Sequence, residues 1–182
     1  MVLVPTLSNL NRSSEAVPVA PPPNFRTLGP IERTTIRSSG AQGAVGMTAA
    51  QKAGLRYESR AQDHLQQLFG PNYLVAPRLN VEIRGGKSRL LIPDGVYIAG
   101  KGLATVFEIK ATHCPESWWQ LRELYERALR AVDLVHHVNL IEVCKSFDPS
   151  QPYPEPVVRL ESVTPRVFAE SRQYNIGVYV WR

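Results

Sequence analysis

Cysteine is scarce in this chain: Cys114 and Cys144 are the only two among 182 residues. Two thiols build no disulfide framework, and so low a count suggests a reducing compartment. His113 stands beside Cys114, with His136 and His137 further on, but no paired ligand spacing joins them into a zinc motif. Long apolar runs are missing too, so no segment has the length to span a bilayer and no membrane partner is expected. The opening "MVLVPTLSNLN" has neither a basic start nor a sustained apolar stretch, which argues against a signal peptide. What is present is a composition of 43% hydrophobic and 20% charged residues, as in a soluble globular protein with one sizeable core. The net charge of +5 is compatible with a phosphate-backbone partner without requiring one.

Residues 1–46 differ from the rest. "AVPVAPPPNFRTLGP" is proline-rich and "RSSGAQGAVG" is small and polar. Neither has helical or strand periodicity, so an irregular arm without its own core is expected, either disordered or ordered along a partner. Residues 47–182 then form the folded domain. Thr48 and Gln51 have capping-box spacing, and Gly54, Glu58, Ala61, Leu65 and Leu68 share one helical face up to Gly70-Pro71. Glu58 is a charge on that inward stripe.

Leu79, Val81 and Ile83 alternate with polar residues before Gly85-Gly86, a hairpin signal. Leu90, Ile92, Asp94, Val96 and Ile98 share the parity of a second strand, and Gly100-Lys101-Gly102 marks another turn. In a third strand Val106, Glu108, Lys110 and Thr112 point one way, and Phe107, Ile109 and Ala111 the other. "PESWWQLRELYERALRAVDLV" reads as a helix with Leu121, Leu124, Ala128 and Val132 on one side, and "HVNLIEVCKSF" as a buried strand. "VVRLESV" and "YNIGVYVWR" add one or two strands. The expected fold is α/β: a helix, a three-strand meander, a helix and a strand in a mixed sheet, with a β-rich C-terminal extension.

Glu108 and Lys110 leave their strand on the same face, and the glycine turn can bring Asp94 alongside. Converging carboxylates repel each other unless a cation lies between them, and hard divalent ions prefer such oxygen ligands. A lysine beside such a site can orient a water, favour its deprotonation or hold a phosphate oxygen. These are the parts of metal-assisted phosphodiester hydrolysis. Alternatively, Glu108 and Lys110 form an ordinary ion pair and Pro93-Asp94-Gly95 a turn.

Pro93-Asp94 followed by Glu108-Ile109-Lys110 resembles the signature of the PD-(D/E)XK nuclease superfamily, with its restriction-endonuclease-like fold. The resemblance covers residues 48–147. It implies a Mg²⁺- or Mn²⁺-dependent deoxyribonuclease, with Asp94, Glu108 and the Ile109 carbonyl as metal ligands. Glu58 would be a direct or water-mediated ligand, and Lys110 would serve the nucleophilic water. Some exonuclease-like branches carry a Gln and a Tyr one helical turn apart. Here Gln120 and Tyr125 are five apart, which on an α-helix puts them on different faces, so that branch is not assigned.

Arg84, Lys87 and Arg89 surround the first hairpin turn and are candidates to grip DNA phosphates. Thr112 is equally a phosphate contact or a strand threonine, and Gln120 either reaches the site or stays on the helix surface. Of Trp118 and Trp119, one is expected in the core and the other is free to stack on a base. Glu123 and Glu126 precede Arg127 and Arg130 by four, the order that favours surface ion pairs. Two other functions remain open. One is a structural or assembly protein, in a phage particle or a homo-oligomer, docked through residues 1–46. The other is a plain nucleic-acid-binding module. The expected location is the cytoplasm of a bacterial or phage-infected cell, or the particle itself.

Overall fold

Helix α1 (Ala49–Phe69) starts where Thr48 and Gln51 satisfy each other's backbone. Gln51 N–H donates to Thr48 Oγ1 at 3.2 Å, and Thr48 N–H donates to Gln51 Oε1 at 2.9 Å. It ends at Gly70, whose φ of +65° disfavours any side chain. Its buried stripe is Tyr57, Ala61, Leu65 and Phe69. The stripe expected from sequence shares Ala61 and Leu65 with it, but Glu58 and Leu68 flank the packed face half-buried. Tyr57 and Phe69 displace them because large rings fill the space against the sheet.

The computed structural model describes residues 28–37, 48–100, 102–146, 169–171 and 176–182. Its strands are β1 (Ile31–Arg37), β2 (Tyr73–Val75), β3 (Arg78–Ile83), β4 (Lys87–Leu91), β5 (Gly95–Ala99), β6 (Leu103–Thr112), β7 (His137–Ser146), β8 (Ala169–Ser171) and β9 (Ile176–Val180). Between β6 and β7 runs one continuous helix, made of α2 (Pro115–Trp119), a π-helical stretch (Gln120–Glu126) and α3 (Arg127–Arg130). "VVRLESV" lies outside the described residues. Among the described residues no helix is long and apolar enough to cross a membrane.

The protein is a mixed α/β fold with two sheets. The larger is six-stranded, in the order β2-β5-β6-β7-β9-β8, and the smaller is three-stranded, β1-β3-β4. Strand β6 runs antiparallel to β5 and parallel to β7, and the parallel step requires the crossover that α2–α3 supply. Helix α1 packs on one face over Phe107, Ile109, Ile141 and Val143. The second helix covers the other face, over Val106, Leu140 and Val178. Each such side chain, almost fully buried, contributes about 1.5–3 kcal/mol. This double cover makes β6 the rigid centre of the sheet.

Two expectations are corrected. The single meander is split: "LNVEI" and "KSRLL" form a hairpin in the small sheet, while β5 belongs to the large one. The break falls at Ile92-Pro93-Asp94, where Pro93 has no N–H to continue a ladder. The arm is also not wholly irregular. Within it, Ile31–Arg37 forms β1 against β3, Leu28 is buried in the core, and Thr34 N–H donates to Ala131 O at 3.1 Å. Arg127 is not a surface ion-pair partner there; it donates to the carbonyls of Leu28 at 2.8 Å and Gly29 at 3.0 Å. The backbone oxygens of the entering chain outcompete Glu123 for this guanidinium. Glu126 and Arg130 do form the expected pair, at 2.7 Å.

Candidate active site

Strand β5 begins at Gly95 and β6 runs on past it, leaving an open corner in the large sheet. The register pairs Gly95 with Phe107, so its extension would set Pro93 opposite Ile109. Proline offers no N–H to the Ile109 carbonyl. The Asp94 side chain takes over the other half of the missing pair: Ile109 N–H donates to Asp94 Oδ2 at 2.6 Å. The Asp94 backbone carbonyl accepts from Ala76 N–H at 2.9 Å and from Gln62 Nε2 at 3.2 Å, which fixes the corner. Gln62 also donates to Glu58 Oε1 at 3.4 Å and so links α1 to Asp94.

Next along β6, Lys110 Nζ lies 2.6 Å from Glu108 Oε1, with the carboxylate almost wholly buried and the lysine side chain 34% exposed. Glu108 Oε2 is buried and has no hydrogen-bond partner among the described residues. Burial raises the Glu108 pKa, Asp94 adds to the rise, and Lys110 opposes it. Asp94 is likewise raised by burial, against Lys110 and the Ile109 N–H. Glu58 is pushed up to about 7 by burial and by Asp94, with Lys110 again opposing. Burial pulls the Lys110 ammonium down, but Glu108 and Asp94 outweigh it and hold it above the ordinary lysine range. Among the described residues, Lys110 is thus the cation that acts on all three carboxylates, and burial raises the pKa of each.

Carboxylate oxygens gathered in this way suit a hard divalent cation, which would compete with protons for them. Among the described residues no three His, Cys, Asp or Glu side chains are already drawn around a single point. Asp94 and Glu108 are instead tied to Ile109 N–H and Lys110. Beside them opens a cleft of about 280 Å³ lined by Gln51, Gly54, Leu55, Glu58, Ile109, Lys110 and Ala111.

Asp94, Glu108, Lys110, Ile109 and Glu58 therefore meet at one corner, and the other candidates lie around it. Thr112 is exposed at the end of β6 and shares a 3.3 Å hydrogen bond with Ser146. Arg84 and Lys87 are exposed at the turn of the small-sheet hairpin, while half-buried Arg89 is close enough to act on Tyr125. Gln120 is half-buried on the π-helical stretch. Trp118 and Trp119 are both fully buried, so neither offers a face to a base. The π turn corrects the α-helical reading of Gln120 and Tyr125, because it brings positions five apart towards a common face. Tyr125 is buried, donates to Ile92 O at 3.4 Å and feels the charges of Glu108 and Asp94.

Sequence reasoning missed Glu142. It pairs in register with Glu108 on the neighbouring parallel strand and is fully buried. His113 Nδ1 lies 2.6 Å from its Oε2, while Ser117 Oγ and Trp118 Nε1 each donate to it at 2.7 Å. The signal was a lone glutamate inside "NLIEVC", the same kind that singled out Glu108.

The folded protein holds the Glu58 proton up to about pH 7, whereas the unfolded chain releases it near the ordinary 4.5. Between these values the folded state binds more protons, so metal-free stability falls as pH rises through that window. Urea unfolding in EDTA is expected to show this fall, and Glu58→Gln to flatten it. A wild-type midpoint that rises from pH 5 to 7.5 would contradict the raised pKa.

No family model, curated protein or solved structure matches the chain. What fold and corner define is a mixed α/β protein with a partly buried carboxylate–lysine cluster at the open end of its larger sheet.

Proposed function

We propose that this protein is a divalent-metal-dependent nuclease of the PD-(D/E)XK class, with a restriction-endonuclease-like core, that hydrolyses phosphodiester bonds in DNA. The observation that carries the reading is the pairing of Lys110 with Glu108 at 2.6 Å, beside Asp94 fixed to the backbone of Ile109. An isolated surface pair would not gather buried Glu108 and half-buried Asp94 and Glu58, all with raised pKa values, around one lysine.

Asp94 and Glu108 would hold Mg²⁺ or Mn²⁺, with Glu58 and the Ile109 carbonyl completing the protein's share. When bound, such an ion supplies positive charge at a phosphate oxygen and makes water more acidic. The chain's own residues do the rest. Lys110 stays protonated, so it acts as a cationic donor that orients water or a phosphate oxygen, not as the base. Hydrolysis adds water across one P–O bond: its oxygen joins phosphorus, and the leaving sugar oxygen ends with a proton. The cleft beside Glu58 and Lys110 gives the strand a place to lie. Arg84, Lys87 and Arg89 supply positive charge for its phosphates.

Incubation with linear, circular and single-stranded DNA tests the proposal. Cleavage is expected with Mg²⁺ or Mn²⁺, none in EDTA, and a loss in Asp94→Ala. Cleavage that persists unchanged in EDTA or in Asp94→Ala, or no cleavage of any substrate, overturns it.

A further inference from the structure

Gly54 is a glycine that the packing of α1 does not require. It lies in the interior of the helix, where alanine is the better helix former. A left-handed backbone, a cap or the close approach of another element explains most helical glycines. None of these applies. Gly54 is not among the residues with positive φ, and it lies more than a turn from Thr48 and far from Gly70. A Cβ at residue 54 would meet nothing within 4 Å beyond its chain neighbours and its own helix backbone, among the described residues. The remaining physical reason is the close approach of a ligand to the backbone.

The space beside Gly54 belongs to the cleft of about 280 Å³ at the carboxylate corner. Gly54 stands one turn before Glu58 on the same helical face, and Lys110 lines the same cleft from β6. Whole small-molecule ligands fill pockets of about 300–1,000 Å³, so this volume suits a single unit of a polymer. Leu55 and Ala111 give the cleft apolar walls. Lys52 and Arg56 follow the cleft residues Gln51 and Leu55 in sequence, are exposed, and make no ion pair among the described residues. Arg56 Nε donates to Lys52 O at 3.3 Å, which holds its guanidinium along the helix. Apolar walls flanked by cations match a sugar ring, mostly C–H at its surface, between two phosphates.

We infer that one nucleotide of the DNA strand lies in this cleft, with its deoxyribose against the α1 backbone at Gly54. One neighbouring phosphate then faces Lys110, and the other faces Lys52 and Arg56. The inference rests on the nuclease reading above and adds where the strand lies.

Melting in EDTA and steady-state DNA cleavage in Mg²⁺, on wild type, Gly54→Ala and Gly54→Leu, test it. Both variants are expected to melt at or above the wild-type temperature, the alanine variant about 1–4 °C higher. Gly54→Leu is expected to raise KM for DNA about 10–100-fold and Gly54→Ala about 2–10-fold, with smaller changes in kcat. The Mg²⁺ concentration that gives half the maximal rate should stay the same. A wild-type KM in Gly54→Leu overturns the inference and leaves the nuclease reading standing. A lower melting temperature in Gly54→Ala also overturns it, because the protein itself would then fill the space. So does a shifted Mg²⁺ requirement, which would place the effect at the metal. A wild-type protein that cleaves no DNA overturns the nuclease reading, and this inference with it.

Discussion

Alanine at position 110 is expected to slow DNA cleavage by about 10²–10⁴-fold, the usual contribution of a positioned proton-handling or charge-bearing group. Among the described residues Lys110 is the cation that acts on all three carboxylates; it lies 2.6 Å from Glu108, and the field of Glu108 and Asp94 keeps it charged. Its loss has a second consequence with a definite sign. Lys110 lowers the pKa of Glu108, Asp94 and Glu58, so without it all three hold protons to higher pH in the folded state. The unfolded chain is unaffected, and the metal-free variant should therefore lose stability more steeply than wild type as pH rises from 6 to 9. Single-turnover cleavage of end-labelled DNA measures the first effect and urea midpoints in EDTA the second. A variant that cleaves within about tenfold of wild type removes Lys110 from the reaction.

Glu142→Ala is expected to produce the largest loss of stability, about 3–5 kcal/mol, by breaking a buried hydrogen-bonded network. Glu142 accepts from Ser117 and Trp118 and pairs with His113, all within 2.7 Å and out of contact with water. Truncation removes the acceptor that these groups share and leaves a cavity, with no solvent to replace the carboxylate. Since His113 follows β6 while Ser117 and Trp118 lie on α2, the network fixes the start of the second helix over Glu108. Glu142 also helps to raise the Glu108 pKa. Glu142→Gln keeps the shape and some of the acceptor capacity, so its loss should be smaller. Urea unfolding at pH 7 measures both, and a Glu142→Ala loss below about 1 kcal/mol would mean the network is not structural.

Local chemistry alone determined several features. The start and end of α1 follow from Thr48, Gln51 and Gly70, because a capping box and a left-handed glycine act within one turn. The Gly85-Gly86 hairpin follows from two positive φ angles that only glycine adopts easily. Glu108 and Lys110 were legible as neighbours because strand parity is a strict period of two. What depended on distant partners was not legible. Residues 31–37 carry a strand signal in β-branched Ile31, Thr34, Thr35 and Ile36, but the partners that hold β1, strand β3 and the carbonyl of Ala131, are distant in sequence. The apolar parity expected from Leu90 to Ile98 fails at Pro93, where the chain changes sheet: β4 buries Leu91 and leaves Leu90 49% exposed, while β5 buries Val96. The π turn that moves Tyr125 towards Asp94 and Glu108 is invisible in a pattern counted at 3.6 residues per turn.

The sequence by itself named the acidic and basic residues of the corner. Only the tertiary structure decided how they share charge, because desolvation and the distances between carboxylates exist only once β5, β6 and α1 have met.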